Sequence, residues 1–296
     1  MRAVLLRWVL TGVLRRLAAD TLCRVGAGLG VLAFAIGVRR QAARAQLQRA
    51  LGVRGAPARR LLRRAYATIG AAFFEVWGVG GPDGPEGHLR LLAPTHCRRL
   101  ARRGVVFVLP HQGCWDAAAG AWAASFGGII AYAKQQRDPV VDAAVVAQRA
   151  RLGIRVVWAR RGDRRQAVGV LRDVRGGAAL GLLADQRPSG DDGEPAEFLG
   201  HATLVNGGPG FFGSHGAALV PVLSVRTAAG RSVVLPLRPL PGAAAADLRQ
   251  QAAWAMSAAI AAFPGQYFWM HKRLRDEPAV GGEQPWRRGL AWFRRT

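Results

Sequence analysis

The sequence predicts an α/β protein with a mixed, mostly parallel central sheet covered by helices on both faces. Three observations predict it. Short, wholly apolar runs such as Val105–Leu109 recur between longer amphipathic stretches, as strands buried on both faces require. Strand-like and helix-like segments then alternate from Gly104 onward, which favours a covered sheet over separate helical and β regions. With 296 residues, half of them hydrophobic, the chain is long enough to bury a full core and too apolar to remain disordered.

The elements follow in order. From Arg39 to about Trp77 the spacing is helical, as "RRQAARAQLQRALG" and then "APARRLLRRAYATIGAAFFEVWG", with Pro57 near a helix start and Gly78 near its end. Residues 78–87, "GVGGPDGPEG", read as a loop. A helix to about Arg103 follows, stopped by Gly104. Strands are predicted at 105–109, 128–133, 154–158, 178–183, 218–225 and 231–236. Helices are predicted at 114–125, 139–152, 164–174, near 205–215 and at 243–263, with a polar loop before the 205–215 stretch.

The N-terminus is apolar in two pieces, "AVLLRWVLTGVL" and "VGAGLGVLAFAIGV", the second only fourteen residues long and bounded by Arg24 and Arg39-Arg40. A spanning helix needs about twenty residues. An interfacial or marginally spanning anchor over residues 1–40, with its arginines on the cytoplasmic side, is one reading; a pair of buried helices is the other. A main domain is expected over 41–278. The tail at 279–296, "QPWRRGLAWFRRT" with Trp286, Trp292 and Phe293 among arginines, suits either a membrane interface or a solvated end.

The net charge is +24, and only Lys134 and Lys272 are lysines. Arginine in such excess fits an anionic partner, whether an acidic lipid surface, a phosphorylated substrate or nucleic acid; a compositional bias toward arginine would give it too. No helix-turn-helix, zinc or RNA-binding pattern accompanies the charge. Cys23, Cys97 and Cys114 make no CxxC or zinc spacing, so neither a structural metal nor a disulfide framework is expected.

In "VVFVLPHQGCWDAAAGAWA" an apolar strand ends in His111, with Asp116 five residues on. A neutral imidazole can take a proton from a hydroxyl while a carboxylate on its other nitrogen fixes the tautomer. The amides of the helix start nearby suit a developing oxyanion. His111, Arg160 and Asp185 all follow strands, at the edge where α/β sheets bind ligands. A second H-x4-D, His271 and Asp276, lies among cations without a preceding strand and reads as surface structure. No GxSxG or Walker A sequence occurs, and "GPGFFG" lacks the acidic residue of a dinucleotide site. Cys114 reads as a small buried thiol at a helix start, with a thiolate nucleophile the alternative.

Four stretches, in order, resemble the lipid A biosynthesis acyltransferases of the lysophospholipid acyltransferase superfamily. "HQGCWD" resembles their H-x-G-N-W-E/D motif. "LLADQRPSGDDGEPAEFLGHATLVNGGPGFFGSHGAALVPV" resembles the D-Q segment with F-x-G and A-T. "FPGQYFWMHKRLRDEP" is similar to the C-terminal P-x-Q-Y-x-W-x-H-R-R signature, and "AFAIGVRRQAARAQLQRALG" to the helix after the membrane anchor. The resemblance implies acyl transfer from an acyl carrier protein or coenzyme A thioester to a hydroxyl of a lipid A-type precursor, without cofactor or metal, at the cytoplasmic face of the inner membrane. It assigns the base to His111 and its orienting acid to Asp116. Gly113, Trp115, Arg149, Asp185 and Gln186 become expected substrate-binding residues; Arg160, Arg161 and Arg187 join them by position. Phe198, Gly200 and Thr203 match a turn. Cys114 stands where the family has Asn, and Asp116 where Glu is commoner. Other glycolipid acceptors, such as a phosphatidylinositol mannoside, fit the same motifs. A non-catalytic protein binding nucleic acid or another anionic surface is the reading from a different class.

Overall fold

Three helices open the chain: α1 (Ala19–Ala35), α2 (Arg40–Leu51) and α3 (Gly55–Gly78). The computed structural model describes residues 12–78, 89–92, 95–159, 162–188, 193–227, 231–282 and 286–287. The glycines of "VGAGLGV" let α1 press against α3 backbone to backbone. A Cβ on Gly30 would lie 2.1 Å from the Tyr66 carbonyl oxygen, and one on Gly26 2.3 Å from that of Gly70. One face of α1 is thus spent on α3, while Leu29, Leu32 and Ile36 remain exposed on the other. No single described helix is long and apolar enough to cross a membrane; α1 and α2 together pass by length and composition but are bent by 92°. Arg39, left-handed at φ 49°, makes that bend.

The sheet contains β1 (Leu89–Leu91), β2 (Val105–Leu109), β3 (Ile129–Ala133), β4 (Ile154–Trp158), β5 (Ala179–Leu183), β8 (Ala218–Arg226) and β9 (Ser232–Pro236), in the order β1-β9-β8-β2-β5-β3-β4. Every pairing is parallel except β8 with β9. The connecting helices are α4 (Thr95–Ala101), α5 (Trp115–Phe126), α6 (Pro139–Arg151), α7 (Arg164–Arg175), α8 (Gly208–Ser214) and α9 (Ala245–Ala262). Successive side chains of β2 enter two cores, because a strand alternates its faces. Phe107 and Leu109 pack with Trp115 and Trp122 of α5; Val106 and Val108 pack with Ala252 and Met256 of α9. Asp138 and Asp163 cap α6 and α7, accepting from the Val140 and Gln166 amides among others, and Pro139 opens α6.

The predicted mixed, mostly parallel sheet is therefore the observed one. Three local expectations need correction. The polar segment after β5 is not simply a loop: β6 (Gly193–Phe198) and β7 (His201–Asn206) form an antiparallel hairpin there, and helix begins only at Gly208. Its two-residue turn puts Leu199 and Gly200 at φ 50° and 77°, the twist that a tight hairpin requires. Strand β1 occupies part of the stretch read as the start of a helix ending near Arg103. Trp286 does not meet solvent or lipid: it is fully buried and donates its indole N–H to Glu197 of β6. The 78–87 loop, apart from Gly78, and the aromatic residues Trp292 and Phe293 lie outside the described residues.

Candidate active site

The geometry at the sheet's carboxyl edge follows from strand register. In the parallel pair β2–β5, Leu109 lies opposite Leu183. Two residues beyond each comes a polar side chain, His111 on one strand and Asp185 on the other. They meet: Nδ1 of His111 lies 2.7 Å from Oδ1 of Asp185. The expected partner, Asp116, is elsewhere. Its two oxygens accept from Nε and Nη2 of Arg149, at 3.1 and 2.9 Å, and no hydrogen bond joins it to His111 among the described residues. The correction has a plain cause. Asp116 lies in the first turn of α5, facing α6, whereas Asp185 leaves the strand adjacent to the one carrying His111.

Asp185 is 1% exposed. Burial alone would raise its carboxyl, but attraction to His111 and the hydrogen bond from its ring outweigh that and hold it below the ordinary range. Its Oδ2 has no hydrogen-bond partner among the described residues, nor has the buried Tyr267 hydroxyl. The two groups nonetheless interact. Tyr267 helps lower Asp185, while burial and then the Asp185 charge push the Tyr267 phenol well above its usual value.

A backbone clamp holds the histidine loop. Gln112 and Tyr267 form an antiparallel bridge, the Phe268 amide donates to the His111 carbonyl at 3.1 Å, and the Gly113 amide donates to that of Gln266 at 3.2 Å. The Gln112 side chain is buried and donates to the carbonyls of Ala259 and Phe263. Gly113, at φ +62°, approaches Ser224 so closely that a Cβ would lie 2.1 Å from its carbonyl oxygen. Its place is conformational, since its amide is committed. Cys114 is buried at the start of α5, within 3.2 Å of the Ser224 hydroxyl. Burial, then the nearby Glu75 charge, pushes its thiol up to about 12. A thiolate nucleophile is thereby excluded at neutral pH.

Trp115 is buried edge-on to the His111 ring at 5.4 Å. Together with Leu109, Asp116, Trp122, Leu183 and Val222 it lines an apolar cleft between α5 and the sheet, enclosing about 530 Å³ with the solvent at its mouth included. Arg187 is engaged by Glu277, and its amide donates to Nε2 of His271 at 3.1 Å. Gln186 is half-buried beside Asp185. Arg160 and Arg161 lie outside the described residues. Phe198 lies beneath the buried Arg273, 4.6 Å from its guanidinium, and Arg273 donates to Thr203 and the Leu204 carbonyl. Among the described residues, no group of three His, Cys, Asp or Glu stands together that could hold a metal ion.

His271 was expected at the surface with Asp276. Instead it is half-buried and accepts the Arg187 amide hydrogen bond two residues after Asp185, while Asp276 is fully exposed. Reading "MHKRLRDEP" by its charges hid this. The signal that could find it, and Tyr267 with it, is the C-terminal signature.

By class, the covered sheet with a polar pair at its carboxyl edge, beside a cleft of hydrocarbon character, defines an α/β fold suited to an apolar substrate. Comparison supplies the particular family. The model of the bacterial lipid A biosynthesis acyltransferases matches residues 3–276, and the chain belongs to that family. Membership makes it an acyltransferase, with an acyl donor and a lipid acceptor as substrates in general terms. A search of curated proteins returns no match to the chain.

The buried environment of His271 carries a pH prediction. Burial, then Arg273, His111 and Arg39, lower its pKa from 6.5 to about 4, against the pull of Asp185. Above pH 6.5 neither state carries the proton; between 6.5 and about 4 the unfolded chain takes it up and the folded chain does not. Stability therefore falls as pH drops through that window. His271→Gln, whose amide oxygen can still accept from Arg187, should show a shallower loss of denaturant midpoint over the same range. Equal slopes in the two proteins would contradict the assignment.

Proposed function

We propose that the protein transfers a fatty acyl chain from the thioester of an acyl carrier protein or coenzyme A to a hydroxyl of a lipid A-type precursor or related glycolipid. The observation that carries this reading is the His111–Asp185 pair standing against Trp115, beside the apolar cleft. Nδ1–H donates to Asp185, which leaves the Nε2 lone pair to accept the proton of the acceptor hydroxyl. The alkoxide oxygen attacks the thioester carbonyl, a C–O bond forms as the C–S bond breaks, and the proton on Nε2 passes to the leaving thiolate. Asp185 stabilises the imidazolium formed on the way. The first-turn amides of α5 have no helical carbonyls to donate to and suit the oxyanion. Arg149, fixed by Asp116 at the same edge, supplies positive charge for a phosphorylated acceptor. The thioester's hydrocarbon tail fills the cleft. Bound substrates alone complete this chemistry, with no cofactor invoked.

His111→Ala should lower kcat by about 10²–10⁴-fold with KM changed little, the range general base catalysis commands, as read by radiolabelled acyl transfer to a lipid A-type acceptor. Asp185→Asn should lose about as much, because an amide favours the wrong tautomer, and more than Asp116→Asn. Wild-type turnover in the His111 variant overturns the mechanism.

The same reading places the enzyme on the cytoplasmic face of the inner membrane. Val25, Leu29, Leu32 and Ile36 recur at helical spacing along the outer face of α1, Ile36 71% exposed, with Arg24, Arg39 and Arg40 at its ends. An apolar stripe rimmed by cations suits the headgroup boundary of an anionic leaflet. The full chain should sediment with vesicles containing anionic phospholipid, and Leu32→Asp with Ile36→Asp should release it. Undiminished binding by that double variant would rule out this surface.

A further inference from the structure

The cleft ends at a wall that it shares. A second cavity, about 520 Å³ with open solvent included, lies at the amino edge of the sheet, where Phe126, Gly128, Gly153 and Arg155 line it. Trp122 and Ile129 line both spaces. Between Asp116, at the catalytic edge, and Trp122 run six residues of α5, about 9 Å of helix. Trp122 does not swing freely. Its ring is 3% exposed and held by Phe107 and Phe126, with centroids 4.1 and 4.2 Å away.

Opposite this wall, β5 carries a glycine at its centre. Gly181 also lines the cleft. Its backbone does not demand glycine: its φ is not positive, and a Cβ there would meet Ile129 Cδ1 at an ordinary 3.5 Å. A glycine inside a strand weakens the strand and leaves a bare patch where another group can approach. Here the bare patch is floor space in the cleft.

We propose that Trp122, with Ile129 beside it and Gly181 leaving room before it, is the floor of the acyl cleft and sets the longest chain the enzyme accepts. The proposal rests on the reading that the thioester's hydrocarbon occupies this cleft. A chain whose end meets Trp122 fills the space; a longer one must displace a ring pinned between two others. Removing the ring opens the cleft into the second cavity. Adding methyls at Gly181 raises the floor. Trp122 is therefore a specificity-determining residue, remote from the reacting atoms.

The test offers the full-length enzyme an equimolar mixture of saturated acyl thioesters of graded length, with a lipid A-type acceptor, and reads product chain length by mass spectrometry. Trp122→Ala should move the preferred chain to greater length, and Gly181→Val to shorter. The ratio of adjacent lengths should change by about tenfold or more, the discrimination one methylene commands in an apolar pocket. Trp122→Leu keeps a large apolar side chain in the core and should shift preference in the same direction, so the test survives if the alanine variant does not fold. Active variants that retain the wild-type length distribution overturn the floor while leaving the acyltransfer reading intact. A wild-type enzyme that transfers no acyl chain overturns both.

Discussion

Strands β2 and β5 run side by side, and the carboxylate following one is buried beside the imidazole following the other. An ionised carboxylate removed from water is costly unless a partner compensates it. His111 is that partner, so the arrangement constrains everything around it. The ring must stay where Asp185 needs it, and the loop carrying the ring must therefore be fixed. Gly113 fits the loop beneath Ser224, and the 266–268 segment holds its backbone on the other side. Catalytic geometry and the relief of a buried charge are here one interaction.

The rest of the fold serves that edge at a distance. Arg273, from the segment that clamps the loop, is anchored on the β6–β7 hairpin, and Gln46 of α2 exchanges two hydrogen bonds with the backbone of Leu274. The C-terminal segment therefore links the N-terminal helices, the hairpin and the histidine loop. On the opposite side of the sheet from α9, the small residues Ala118 and Ala119 of α5 leave an apolar cleft running inward from the polar edge. Reaction and hydrocarbon recognition thus meet at one end of one helix. Its first turn offers amides and Asp116; its middle offers alanines; its last turns offer Trp122 and Phe126.

Much of this was legible in the sequence, for reasons that can be named. The apolar run at 105–109, the proline opening a helix at 139 and the glycines near strand starts are local signals, and the elements fell within a residue or two of them. His111 stood out because it follows a buried strand directly. Its partner did not. The spacing from His111 to Asp116 is short along the chain, whereas that from His111 to Asp185 closes only when β2 and β5 lie side by side, and strand order is a tertiary fact. The hairpin was missed because "GEPAEF" is polar and carries a proline, so no alternating apolar pattern announces it. Trp286 and His271 were misplaced for one reason: flanking arginines made their segments look solvated, although one indole and one imidazole had found hydrogen bonds inside.

The central claim concerns one tautomer, and nitrogen-15 NMR of the protein labelled in its histidine rings, recorded where His111 is neutral, measures it directly. The account predicts that His111 carries its proton on Nδ1, toward Asp185, with Nε2 bare, and that this preference disappears in Asp185→Asn but persists in Asp116→Asn. A ring protonated on Nε2, or one whose tautomer responds to Asp116 and not to Asp185, would contradict it.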